Sequence, residues 1–407
     1  MDDIFNRLYK MTALSNFIAE PQIIIMILLA FFLLYLGIKK RFEPLLLVPI
    51  AFGMLLANFP VSFGSGSMAV IPATGDMEHI QDLPLTQIAH EYGIMNFIYY
   101  ALIKTGFLPP IIFLGVGALT DFGPMLRNLR LAFFGAAAQI GIFLVFFIAI
   151  SFNFTPQEAA SLGIIGGADG PTAIYTTILL APHLLGPIAI AAYSYMALVP
   201  VIIPFVVRLT TNKKELMINM KEMDKLYPSK RPIKNLKVVK IIFPIMLATI
   251  VSILVPSAIP LIGLLMFGNL IKEIGPDTDR LFEAASSGIM NAATIFLGLS
   301  VGATMSASSF LQWETILIIV GGFVAFCISI AGGIFAVKTY NLFATKKINP
   351  LIGATGLSAV PMASRVANEL ALKYDPKNHI LQYAMASNIS GVIGSAVAAG
   401  VLISFLS

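Results

Sequence analysis

Asp169 is the residue around which chemistry can be built. It stands in Gly166-Gly167-Ala168-Asp169-Gly170-Pro171-Thr172, inside an otherwise apolar stretch. A carboxylate at membrane depth costs about 2.5–3.5 kcal/mol on insertion scales and needs a cation or a proton as partner. Gly167 and Gly170 let the chain unwind, and Pro171 withdraws a backbone donor, so carbonyl oxygens are freed beside the carboxylate. Freed carbonyls plus one carboxylate form an oxygen cage for a hard monovalent cation. The bland alternative is an Asp that caps a hairpin tip facing water, although GGADGPT is an uneconomical way to build a plain turn.

A second segment, Asn349-Pro350-Leu351-Ile352-Gly353-Ala354-Thr355-Gly356-Leu357-Ser358, mirrors the first but has no acid where Asp169 stands. It offers oxygens from Asn349, Thr355 and Ser358. One carboxylate with several neutral oxygens suits the charge balance of Na+ better than that of Ca2+ or Mg2+, which collect more acids. Ser358 also reads as a hydroxyl bonded back into its own helix. Asn388, among the small residues of Ala386-Ser387-Asn388-Ile389-Ser390-Gly391, serves either as a ligand or as interhelical glue. Arg365 follows the second segment, where a guanidinium either receives a planar anion such as a carboxylate or snorkels to the interface. Tyr193 and Tyr195 are either proton-relay groups or members of an aromatic belt. Asp121, in Thr120-Asp121-Phe122-Gly123-Pro124, reads as a cap at the membrane boundary.

The elements that must position these residues follow from composition. Of 407 residues, 57% are apolar and 12% charged, against about 45–50% and roughly 25% in a soluble domain. Mean hydropathy is +0.87. A water-soluble globule cannot hide so much apolar surface behind so few charges, so the chain is a polytopic membrane protein. The same figures exclude a disordered chain, a nucleic-acid binder and, with one cysteine (Cys327), a disulfide scaffold. There is no P-loop, no Cys/His metal spacing, no nucleophile elbow and no biotinyl attachment site. Whatever drives an ion through this chain comes from another subunit or from a gradient.

Apolar segments at 22–38, 43–58, 108–125, 131–152, 187–207, 238–257, 259–275, 284–302, 313–337 and 381–405 predict about ten transmembrane helices. Two further stretches, 157–182 and 349–372, are hydrophobic but broken. Lys and Arg cluster at Lys39–Arg41, at Arg127 and Arg130, through 208–240, and at Lys338, Lys346 and Lys347, which marks the cytoplasmic side. Alternation then holds only if both broken stretches are re-entrant hairpins, the first from outside and the second from the cytoplasm. Ile112–Gly115 recurs as Ile295–Gly298, Gly167–Ala173 as Gly353–Ala359, and Phe52–Leu55 as Phe267–Leu270, in the same order and in opposite orientation. The expected architecture is all-α, with inverted repeats in the manner of elevator-type transporters. Its parts are an interfacial segment (1–21), a first repeat (22–207) with an outer loop (59–92), a basic cytoplasmic linker (208–237) and a second repeat (238–407).

At GGADGPTAIYTT the sequence resembles the β subunits of the sodium-translocating, biotin-dependent decarboxylases, whose members act on oxaloacetate, methylmalonyl-CoA, glutaconyl-CoA or malonyl thioesters. The resemblance extends to FLGVGALTDFGPML (113–126), AAYSYMALVP (191–200), NPLIGATGLSAVPMASR (349–365) and SNISGVIGSAVAAGV (387–401). It implies a multi-pass subunit of a bacterial or archaeal cytoplasmic membrane that decarboxylates carboxybiotin and couples CO2 release to Na+ export. Its implied partners are a carboxyltransferase (α) subunit, a biotin carrier protein and a small single-span membrane subunit, with homo-oligomers within the complex. It also implies Na+ ligation by Asp169, Asn349, Ser358 and Asn388, with Gly353 part of the same segment, and carboxybiotin at Arg365 near Tyr193 and Tyr195. The residues themselves equally allow a secondary Na+-coupled carboxylate carrier that performs no chemistry.

Overall fold

The computed structural model describes residues 21–41, 43–59, 68–71, 75–227, 235–358 and 362–407. Residues 1–20 of the expected interfacial segment, the turn run at 62–67, and Lys230, Arg231 and Lys234 lie outside them. Among the described residues the regular structure is entirely helical. The first part of the chain forms α1 (Gln22–Lys39), α2 (Pro44–Ala57), α3 (Leu85–Tyr92), α4 (Ile94–Ile98, continued by a π-turn over Tyr99–Ile103) and α5 (Leu108–Leu119). Next come α6 (Leu129–Ala138), α7 (Ile140–Ser151), α8 (Pro156–Gly163), α9 (Gly170–Leu180), α10 (Leu185–Ala197) and α11 (Val199–Thr210). The remainder is α12 (Leu236–Leu254), α13 (Ile259–Ile274), α14 (Met290–Ala303), α15 (Trp313–Phe343), α16 (Met362–Tyr374) and α17 (Leu381–Leu406).

Among the described residues, seven helices or helical runs are long and apolar enough to cross a membrane, and nine if each of two bent pairs counts as one span. The tenth expected span, α2, has 14 residues, about 21 Å of helix, short of a hydrocarbon core of about 30 Å. The span expected to begin at 108 begins earlier, because 94–103 joins α5 at an angle of 66°. Pro109 and Pro110 lack the N–H groups that would continue the helix, and Gly106 turns the chain at φ +71°. Part of the expected outer loop is therefore docked structure. Asn96 accepts from Ile71 N–H (2.8 Å) and donates to Ala69 O (3.0 Å), while Tyr100 O–H donates to Ile71 O (2.8 Å).

Both broken stretches are hairpins. Glu158, at the start of α8, pairs with His183, just beyond α9, at 3.0 Å, so the first stretch returns to where it began. The second does the same. Asn349 Nδ2 and Asn378 Nδ2 both donate to Ile218 O (3.0 and 2.9 Å). Helix α17 orders the two. Its first turn sits at the base of the second hairpin, where Asn368 Oδ1 accepts from Leu381 N–H (3.1 Å). Its last turn sits at the base of the first, where Gln157 Nε2 donates to Leu406 O (3.3 Å). With 26 residues, about 39 Å of helix, α17 exceeds the bilayer core, so the hairpins enter from opposite ends of it.

Hydrophobic packing falls into two main bodies. One gathers α6–α11 and α15–α17 around both hairpins, with parts of α12 and α13. The other gathers α1, α2, α14 and the α3–α5 region, with one face of α9 and α10 (Ile174, Ile178, Leu185, Tyr193), which bridge the two. Close helix crossings support the frame: Gly53 of α2 lies against the Leu299 backbone of α14, and Gly117 of α5 against the Leu265 carbonyl of α13. Small residues that let backbones approach are the usual basis of helix packing in lipid. The basic linker is docked as well. Asp224 receives Lys346 Nζ (2.6 Å) and Tyr383 O–H (2.5 Å), and Lys338 pairs with Glu215 (3.1 Å). Asp121 caps Gly123 N–H (2.9 Å) as expected and also binds Lys240 (2.6 Å).

Candidate functional site

The tips of the two hairpins meet at mid-length of α17. On the first, a short 3-10 turn (Ile164–Gly167) ends at Ala168, whose φ of +53° is the left-handed conformation that L-residues other than Gly, Asn and Asp rarely adopt. Asp169 follows in extended backbone and caps α9, its Oδ1 accepting from Thr172 N–H (3.3 Å). On the second, a 3-10 turn over Pro350–Thr355 leads to Gly356, Leu357 and Ser358. Ser358 N–H donates to Gly167 O (2.9 Å), so backbone joins backbone across the tips. The side chain of Ser358 also lies beside the Asp169 carboxylate.

Helix α17 closes the site from the side. Ser395 Oγ donates to Asp169 Oδ2 (2.8 Å), and Asn388 Nδ2 donates to Leu357 O (2.5 Å). Asp169, Thr172, Ser358 and Asn388 are all buried. Asn388 Oδ1 and Thr172 Oγ1 have no hydrogen-bond partner among the described residues. A buried acceptor left unpaired costs about 1–3 kcal/mol. A carboxylate buried at this depth calls for a cation or a proton as partner.

The other expected residues are distributed. Tyr193 lies against Gly170, next to Asp169, and its buried hydroxyl has no partner among the described residues. Tyr195 points elsewhere, its O–H donating to Ile319 O on α15. Thr355 Oγ1 donates to Ile352 O (2.8 Å) and Ala384 O (3.0 Å), tying the second tip to α17. Gly353 packs against Gly333 of α15. Arg365 is exposed and forms no ion pair among the described residues. Asn349 is not among the side chains that bond Asp169. It sits at the hairpin's base, where Nδ2 donates to Leu216 O (2.8 Å) as well as Ile218 O, and Oδ1 caps Leu351 N–H (3.0 Å). Asn349→Ala is expected to free those carbonyls and lower the melting temperature of the detergent-solubilised protein, by about 1–3 kcal/mol of stability.

The model of the family described as Na+-transporting oxaloacetate decarboxylase beta subunit matches residues 22–406. This chain belongs to that β-subunit family. Among curated relatives of the family, the methylmalonyl-CoA decarboxylase subunit beta of Propionigenium modestum is 49% identical, over 94% of each chain. The corresponding subunit of Veillonella parvula is 48% identical, over 94% of this chain and 93% of its own. The oxaloacetate decarboxylase beta chain 2 of Salmonella typhi is 45% identical, over 94% of each. The carrier reading, which the inverted repeats, broken helices and Arg365 also allow, is not favoured for a member of the β-subunit family.

Ser395 escapes a sequence reading because a serine in a Gly/Ala-rich helix ordinarily bonds its own backbone, which it also does here (to Val392 O, 3.0 Å). For a β subunit that handles Na+, its second bond matters more. Ser395→Ala is expected to raise the Na+ concentration for half-maximal activity about five- to tenfold, equivalent to roughly 1–1.4 kcal/mol, as read from a Na+ titration of decarboxylation.

Proposed function

We propose that this chain is the membrane subunit in which carboxybiotin, brought by a partner carrier, loses its carboxyl while Na+ crosses a bacterial or archaeal cytoplasmic membrane outwards. The observation that supports this most is the buried Asp169 carboxylate, held between two hairpin tips with no cationic partner among the described residues. Asp169, Ser358, Thr172 and Asn388 would hold Na+, with Ser395 orienting the carboxylate. The hairpins enter from opposite ends of α17, so withdrawal of one tip exposes the ion to one water phase and withdrawal of the other exposes it to the opposite phase. With the linker and its lysines at the base of the second hairpin, that base is cytoplasmic. Such an arrangement fits inverted repeats working by alternating access.

Arg365 fits an arriving carboxylate. It lies in the first turn of α16, beyond the second tip, exposed and without a counter-ion among the described residues. A guanidinium forks onto a planar carboxylate with two parallel hydrogen bonds. Carboxybiotin, when bound, supplies the free energy of breaking its N–CO2 bond, the ureido nitrogen taking up one proton as CO2 leaves. Tyr193, whose hydroxyl is unpaired beside Asp169, would hold and pass that proton. Protonation of Asp169 and Na+ binding there exclude each other, so the two states have different affinities for the ion, which is what coupling requires.

A carboxyltransferase subunit, a biotin carrier and a small single-span subunit complete the assembly, and the carboxyltransferase selects the acid consumed. The direct test is release of CO2 from free carboxybiotin by the purified complex in Na+ and in K+. Acceleration specific to Na+ supports the reading. Solute-driven Na+ uptake by the chain alone, with no effect on carboxybiotin, would overturn it in favour of a carrier.

A further inference from the structure

Gln139 separates α6 from α7, in the middle of a 23-residue apolar run (Leu129–Ser151). It is buried, 5% exposed. Its amide nitrogen is pinned by two carbonyls, Gly135 O (3.2 Å) on its own helix and Gly356 O (3.0 Å) on the second hairpin tip. With both amide hydrogens directed at acceptors, Oε1 is oriented away from them, and it has no partner among the described residues. The arrangement repeats that of Asn388, which donates to the next carbonyl along, Leu357 O, and also leaves its oxygen unpaired. Two carboxamides on different helices thus grip consecutive carbonyls of one tip.

The free oxygen of Gln139 is close to the first tip. A Cβ placed on Gly167 would lie 3.4 Å from Gln139 Oε1 and 3.1 Å from Cβ of Ser395, whose hydroxyl holds Asp169. Gln139 therefore bonds the second hairpin while its free oxygen lies beside the first. We propose that Gln139 supplies a further neutral oxygen to the cation bound at Asp169, from a helix outside the hairpins and α17. The inference rests on the assignment of that cation site. A hard cation collects neutral oxygens in addition to its carboxylate, and Gln139 Oε1 is a buried acceptor beside the site that lacks a donor.

The test uses the whole complex, with Gln139→Met to remove the oxygen at similar volume and Gln139→Glu to retain one. Two readouts are needed, the Na+ dependence of decarboxylation and the stabilisation of the detergent-solubilised complex against heat by NaCl relative to choline chloride. For Gln139→Met we expect at least a tenfold increase in half-saturating Na+ and a matching loss of Na+-specific thermal protection. Gln139→Glu should keep Na+-specific protection. Wild-type half-saturation in Gln139→Met with only a lower maximal rate would mean a packing role, and would overturn the proposal. If both variants melt early and neither responds to Na+, Gln139 holds the tip rather than the ion, which also overturns it. Asp169→Asn, run in parallel, separates the two levels. Full Na+ response in that variant defeats the site itself, whereas its loss together with a normal Gln139→Met defeats only the role of Gln139.

Discussion

Asp169→Asn is expected to abolish Na+-stimulated decarboxylation while leaving the complex assembled. The substitution keeps the shape of the side chain, so the cap on α9 and the packing against Ser395 survive in outline. What it removes is the buried negative charge in the oxygen cluster. Without it the Na+ would be a bare cation in a low-dielectric site, and unpaired buried charge is heavily penalised. A loss of affinity of about a hundredfold or more, equivalent to roughly 2.8 kcal/mol, takes half-saturation beyond ordinary salt. The measurement is a Na+ titration of decarboxylation in proteoliposomes, with assembly checked by size-exclusion chromatography. Because a proton and Na+ compete at one carboxylate, wild-type half-saturating Na+ should rise as pH falls, and that dependence should vanish in Asp169→Asn. Retained Na+ stimulation in the variant would place the ion elsewhere.

Gly353→Ala should have the second largest effect, for a different reason. The second hairpin runs along α15 with Gly353 against Gly333, and a Cβ on Gly353 would collide with the carbonyl group of Gly333. The obstacle is backbone, so no rotamer change relieves it, and the hairpin must lift from α15. Overpacking of a tight interior costs typically about 1–3 kcal/mol, and here the displaced element carries Gly356, Leu357 and Ser358. A displacement of about 1 Å at catalytic parts is enough for a hundredfold loss. Both a lower melting temperature and a Na+ affinity reduced in proportion are expected. Wild-type melting and activity in Gly353→Ala would show that the hairpin does not seat on Gly333 in the working protein.

Much of this was readable from the chain. Glycines and a proline around an acid in an apolar run announce a broken segment, and the distribution of Lys and Arg requires both broken segments to double back. The pairing of Glu158 with His183, and of Asn349 and Asn378 with Ile218, shows that they do. What stayed hidden depends on contacts between residues far apart. Gln139 in a Phe/Gly/Ala context looks like ordinary interhelical glue, and its partner Gly356 is 217 positions away. Asn349, expected as a ligand from its oxygen and from the family resemblance, lies at the base of the hairpin against the linker, a placement that only the long-range contacts reveal. The half-helix at 94–103 was masked by Asn96, Tyr99, Tyr100 and Lys104, which interrupt the apolar pattern while packing against 68–71 and its surroundings.

The single bond from Ser358 N–H to Gly167 O has a consequence for leakage. A cell that stores energy as a Na+ gradient loses it through any protein that opens to both sides at once. If the tips gate the ion as proposed, each obstructs the path from its own side, and the two are rooted at opposite ends of α17. A short circuit needs both to withdraw together, so its frequency is the product of two small fractions rather than either alone. If each tip is withdrawn about 1% of the time, a typical minor-state population, and the two move independently, the unguarded passage exists for about one part in ten thousand. On the proposed function, carboxybiotin then has no need to plug the path. It has only to bias which tip withdraws first.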